Sequence, residues 1–230
     1  MADMRYPARI DGVMQDNLSR WLWLVKWLLI IPHVIVLTFL AIGFFVTTVI
    51  AFFAILFTGR YPRGLFDFNV SVIRWGWRVA FYSYNALGTD EYPPFTLEDV
   101  EYPARIEIDY PEQLSRGLVL VKWWLLAIPH LLIVGVFSSG LIWTTTELAE
   151  DGAYLEIGGG LIGLLVFIAG ILLLFTGQYP RGLYDFIMGM NRWVLRTLAY
   201  VALMTDEYPP FRFDSGGTDP GSTQQAPNTA

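Results

Sequence analysis

The second half of this chain restates the first, and that constrains the fold more than any single motif. Tyr6-Pro7-Ala8-Arg9-Ile10 returns as Tyr102-Pro103-Ala104-Arg105-Ile106, Leu18-Ser19-Arg20 as Leu114-Ser115-Arg116, and Ile31-Pro32-His33 as Ile128-Pro129-His130. The longest match, from Leu56 to Phe68, reappears from Leu174 to Phe186. Each copy closes on Thr-Asp-Glu-Tyr-Pro-Pro-Phe, from Thr89 to Phe95 and from Thr205 to Phe211. A unit repeated in this way is one structural module, and what both copies keep is what the module needs.

The module is apolar. The chain is 54% hydrophobic and only 16% charged, against about 25% charged in ordinary soluble domains. The excess lies in long runs, which points to an integral membrane protein. The net charge of −6 is unevenly spread and implies no nucleic-acid partner. With no cysteine, disulfides, thiolate metal sites and cysteine nucleophiles are excluded. Residues 1–20 are polar and hold no apolar core of the kind a secretory signal needs.

From Trp21 to Phe57 only Lys26 and His33 interrupt the apolar run. One helix needs about 20 residues to cross a bilayer, so this run is one very long helix or two short ones. In the second copy an acidic, Gly-rich loop over 138–160 separates the matching pieces; it holds Glu147, Glu150, Asp151 and Glu156. Backbone of that polarity does not lie in hydrocarbon. The equivalent point near Ala41 to Phe45 is therefore expected to be a tight turn, and each copy a transmembrane hairpin. The four expected spans are 21–41, 42–57, 117–137 and 160–175. All fifteen Lys and Arg fall on one side of that arrangement, as do eight of nine Trp. The positive-inside rule then predicts a multi-pass protein of the cytoplasmic membrane with both termini in the cytoplasm.

A third helix follows each hairpin, over 64–86 and 182–203. Arg63, Asp67, Ser71, Arg74, Arg78, Tyr82 and Asn85 share a narrow stripe at 100° per residue. If it spanned, each central arginine would cost about 2.5–3.5 kcal/mol. An amphipathic helix in the interface avoids that, although so narrow a stripe also fits a helix facing inward in a bundle. Tyr-Pro-Ala-Arg-Ile alternates as a short strand does, with a weaker signal at Phe95-Thr96-Leu97 and Phe211-Arg212-Phe213. The expected fold is thus an all-α polytopic membrane protein of two tandem repeats, 1–98 and 99–213, with short cytoplasmic β-strands and a disordered tail over 214–230.

Few residues suggest chemistry. His33 and His130, the only histidines, occupy equivalent sites. Brought together about a two-fold axis, they would suit a bis-histidine haem; the structural reading is local relief of the kinks at Pro32 and Pro129. Arg74/Arg78 and Arg192/Arg196 stand at i,i+4, where like charges repel. Each pair calls for an anion, either the phosphate of an anionic phospholipid or an internal network with Asp67, Asp90, Glu91, Asp185, Asp206 and Glu207. Lys26 and Lys122 lie close enough to the interface to snorkel. Ser19 and Ser115 read as helix caps.

The order Tyr-Pro, Leu-Ser-Arg, Ile-Pro-His, Phe-Thr-Gly-x-Tyr-Pro-Arg-Gly, Asp-Phe, Arg-Trp resembles a bacterial membrane family, domain of unknown function 4389. The resemblance covers both copies; Gln178 stands where copy one has Arg60, and the loop occurs in one copy only. It implies an integral membrane protein and supplies no catalytic residue or cofactor. The expected function is a non-enzymatic scaffold or accessory subunit binding membrane lipids or a membrane-protein partner. The alternatives are a transporter or channel for a small solute or lipid, and a haem-binding membrane subunit.

Overall fold

The computed structural model describes residues 6–138, 144–147, 154–157 and 160–213. The tail expected to be disordered lies outside them, as do parts of the acidic loop. The described chain is mostly helical around a small two-stranded sheet.

One strand from each copy forms that sheet. β1 (Ala8–Gly12) pairs antiparallel with β2 (Ala104–Ile108), placing Ala8 opposite Ile108, Ile10 opposite Ile106 and Gly12 opposite Ala104. Ile10 and Ile106 are equivalent residues of the repeat. Each strand therefore pairs with its own counterpart about a pseudo-two-fold axis perpendicular to the sheet. Alternation sets the faces: Ala8, Ile10, Ala104, Ile106 and Ile108 are buried, while Arg105, Glu107 and Asp109 point outward and are exposed. Arg9 bridges Glu107 at 2.8 Å and Asp109 at 2.6 Å on that outer face.

After β1, the turns Leu22–Leu24 and Lys26–Leu29 lead into α1 (Ile31–Thr58), 28 residues without a break. The tight turn expected near Ala41 to Phe45 is absent, and with it the first hairpin. Gly43 is the only weak helix former there, and a single glycine costs about 1 kcal/mol against alanine, too little to stop an otherwise apolar helix. The helix ends instead at Gly59, whose φ of 73° provides the left-handed cap and whose N–H donates to the Ile55 carbonyl.

α2 (Arg63–Tyr82) then turns back along α1. Asn69 accepts a hydrogen bond from Thr47 at 2.6 Å, and Phe68 packs on Gly43. The other side of α2 is covered by β2, which runs antiparallel to it. Tyr110 packs on Phe66 and Arg63 near the start of α2, and Tyr102 reaches the Glu91 carbonyl beyond its end. The helix expected over 64–86 is thus enclosed on two sides, with Trp75, Trp77 and Arg78 buried.

Copy two repeats the plan with two changes. Lys122–Leu126 is a π-helical turn where copy one has the α-helical turn Lys26–Leu29. Between the kept Lys-Trp and Ile-Pro pairs, copy two has one residue more, and a π-turn absorbs one added residue without shifting either flank. Then α3 (Ile128–Ser138) and α4 (Leu161–Thr176) together match α1. A Cβ at Gly160 would fall 2.2 Å from the Phe137 carbonyl oxygen, so α4 begins against the end of α3. The intervening residues include a hairpin, β3 (Thr144–Glu147) with β4 (Tyr154–Ile157). α5 (Arg181–Val201) follows the left-handed cap at Gly177 and packs on β1. Phe95-Thr96-Leu97 and Phe211-Arg212-Phe213 form no strand.

The sheet contacts cross between copies. β2, from copy two, lies on α2 of copy one. β1 lies on α5 of copy two, where Arg192 donates to the Ile10 carbonyl at 3.1 Å and Tyr184 to the Gly12 carbonyl at 2.9 Å.

Among the described residues, one helix is long and apolar enough to cross a membrane by itself, α1. Leu118–Leu126 with Ile128–Ser138, bent by 43°, meets the same measure jointly, and α4 is apolar but short. The outer side of α1 is bare: Phe39, Phe45, Phe53 and Phe57 are each more than half exposed.

Candidate functional site

The residues kept in both copies meet at two stations per copy. The first joins the entry of the long helix to the closing Thr-Asp-Glu-Tyr-Pro-Pro-Phe segment. Lys26 does not snorkel to the surface; it is 1% exposed, donates to the Thr89 carbonyl at 2.7 Å and sits 3.0 Å from Asp90. The second Asp90 oxygen accepts the Ser19 backbone N–H, and the Lys26 ammonium lies over the Tyr82 ring at 4.5 Å. Copy two matches it: Lys122 donates to the Thr205 carbonyl at 3.0 Å and to Asp206 at 2.7 Å, and Ser115 N–H donates to Asp206. A buried ammonium is tolerated because it is paired and hydrogen-bonded.

The second station surrounds each histidine. Trp75 Nε1 donates to His33 Nδ1 at 3.1 Å, and Trp193 Nε1 to His130 Nδ1 at 2.9 Å. Indole N–H only donates, so Nδ1 is the acceptor and the neutral ring carries its proton on Nε2. Phe95 stacks on His33 at 3.8 Å and Phe211 on His130 at 4.4 Å. Tyr92 and Tyr208 close the cages, their hydroxyls donating to the Leu29 and Leu126 carbonyls. The carbonyls that Pro32 and Pro129 free, those of Leu28 and Leu125, accept from the backbone N–H of Ile30 and Ala127, while the imidazoles accept from the indoles. Nε2 of both rings is buried, and the backbone of Pro93 lies against the His33 imidazole as that of Pro209 does against His130. The aromatic rings that pack on each histidine all come from its own copy.

The paired arginines point into the protein. Arg78 is 1% exposed and donates to the carbonyls of Thr96 and Glu98. Burial, and behind it the charge of Arg74, pushes Arg78 down from its ordinary pKa. Arg74 lies 3.5 Å from Asp99. Arg192 reaches the Ile10 carbonyl and lies 3.9 Å from Asp11, and Arg196, 1% exposed, sits 5.8 Å from the Tyr6 ring. These partners differ from the carboxylates of the expected internal network: Asp90 and Asp206 serve the lysines, and Asp67 pairs with Arg63 at 3.1 Å. What sequence reasoning missed is the indole partner of each histidine, although Arg-Trp is kept in both copies at Arg74-Trp75 and Arg192-Trp193. Among the described residues no three His, Asp or Glu side chains gather as a metal site requires.

Together these features define a class: an internally duplicated helical protein, two-fold symmetric about an exchanged strand pair, with an apolar outer helix. The chain belongs to the family described as Domain of unknown function (DUF4389), which matches residues 20–96 and again 152–212. No curated protein and no solved structure matches it.

Proposed function

We propose that this protein is a membrane-embedded, non-enzymatic scaffold or accessory subunit that holds lipid and a membrane-protein partner. One contrast carries the reading. Lysine, histidine, tryptophan and aspartate residues kept in both copies are used in internal contacts, while α1 turns a row of bare aromatic and branched side chains outward. Exposed apolar surface on that scale is what lipid or a partner covers. In this reading the protein resides in the cytoplasmic membrane of a bacterium, with the charged sheet and both termini in the cytoplasm. The distribution of basic residues supports that orientation. Purification in mild detergent with native lipid tests it, by identifying the protein and lipid that remain bound. A stoichiometric membrane-protein partner is the expected result. Solute flux or lipid turnover by the pure protein in vesicles would overturn it.

A further inference from the structure

We infer that the protein is seated in one leaflet, with α1 and the α3–α4 line lying along the membrane rather than crossing it. This rests on the membrane reading above and goes beyond it. β2 follows α2 from Tyr110 beside Phe66 to Tyr102 beyond its end, and α2 meets α1 at its middle, where Thr47 bonds Asn69 and Gly43 touches Phe68. A bilayer centred on an upright α1 would therefore be centred on α2 and the strand pair as well.

That strand pair is built for water. Arg105, Glu107 and Asp109 stand exposed on its outer face, and an open groove beside it is lined by Asp11, Glu91 and Glu101 among others. A two-stranded sheet also keeps an edge on both sides. If α1 stood upright across the bilayer, this sheet would enter hydrocarbon with it. Each charge near the centre would then cost about 2.5–3.5 kcal/mol, and open sheet edges do not occur there. Laid flat, the molecule has three layers: the charged sheet in water, α2 and α5 beneath it, and the apolar helices in the acyl chains.

Two further observations agree. α1, at 28 residues, is about 42 Å long, well beyond the roughly 30 Å of a hydrocarbon core; a helix lying in the plane has no such limit. In copy two the helix line is broken where Gly160 abuts Phe137, partway along it, and the sequence between the two carries four acids. In an upright arrangement that break falls inside the membrane, where a charged segment is not tolerated; in a flat one it does not. The pseudo-two-fold axis, perpendicular to the sheet, then lies along the membrane normal, and both copies meet the same leaflet.

Ile35, Val46 and Phe57 lie on one exposed stripe of α1, and the chain has no cysteine of its own. Single nitroxide labels there, on the full chain in phosphatidylcholine vesicles, read depth from relaxation by oxygen and by a water-soluble nickel complex. The expected result is one common depth, about 5–10 Å below the headgroups. A Val46 label near the midplane, about 15 Å deep, with Ile35 and Phe57 at opposite surfaces, would overturn the inference and leave the membrane reading standing. Nickel access at all three positions would defeat both. Shielding from both reagents would mean that protein, not lipid, covers this face, and would also overturn the inference. A second measurement needs no buried change: Asp16→Cys and Arg60→Cys, which flank α1 and are exposed, should react alike with an impermeant thiol reagent in spheroplasts. Labelling of one without the other means that α1 crosses.

Discussion

A buried ammonium is stable only while its partners stay, and Lys26 has few: one carboxylate, one carbonyl and the face of Tyr82. Asp90→Asn removes the compensating charge and should lower stability by about 3–5 kcal/mol, because a stranded buried charge is worse than none. Adding Lys26→Met should recover much of that loss, and thermal melts of both singles and the double in detergent give the coupling. Arg78 tests a different idea. Arg78→Gln strands the carbonyls of Thr96 and Glu98 and should cost about 1–3 kcal/mol equally with and without added anionic lipid. A loss that appears only with lipid would restore the headgroup role considered for these arginines. At this scale the sequence pointed to the right residues more than to the right pairs. Lys26, His33 and Asp90 stand out because both copies keep them, yet their partners lie 42 to 64 positions away, beyond any helical periodicity.

At the scale of elements, periodicity reads faces well and breaks poorly. The strand alternation and the starts of α2 and α5 were legible because each has a local cause. The first hairpin was not, because its turn was inferred from the position of an insertion in the other copy. An insertion marks where a chain tolerates being opened, and a helix can be opened without having been bent. Removing residues 139–159 and joining Ser138 to Gly160 should therefore give one continuous helix in copy two. The melting temperature should hold or rise and the helical circular dichroism per residue should increase. A large loss of stability would show that the loop supports the helices it separates. The π-turn at Lys122–Leu126 follows the same logic: one extra residue is absorbed locally, so Lys122 and His130 keep the partners of Lys26 and His33.

The whole molecule is tied together by tyrosines. Tyr102 donates to the Glu91 carbonyl and Tyr6 to the Glu207 carbonyl, one link in each direction between copies. Burial raises the pKa of both above the ordinary tyrosine value, and those of Tyr82 and Tyr200 to about 12. A group whose folded pKa is raised contributes stability that is whole below its unfolded pKa and is lost as pH climbs through the folded one. Melting temperature in detergent should therefore be level up to about pH 10 and fall steeply towards pH 12, with a shallower fall in Tyr102→Phe. Alkaline washing of membranes would then unfold this protein in place. The exchanged strands make a second prediction: fragments 1–98 and 99–230 should be unstable when expressed singly and assemble when expressed together. A stable lone fragment would mean that the strand exchange contributes little.

If one copy cannot fold without the strand of another, a gene encoding a single copy would make a protein whose folding depends on its own concentration, as obligate homodimers do. Joining two copies end to end removes that dependence, because the partner strand always arrives on the same chain. It also releases the copies from identity: a change harmful when imposed twice around the axis can be carried once. The acidic insertion and the added residue of the π-turn are each present in one half alone, an asymmetry open to a fused pair and closed to a dimer of equals.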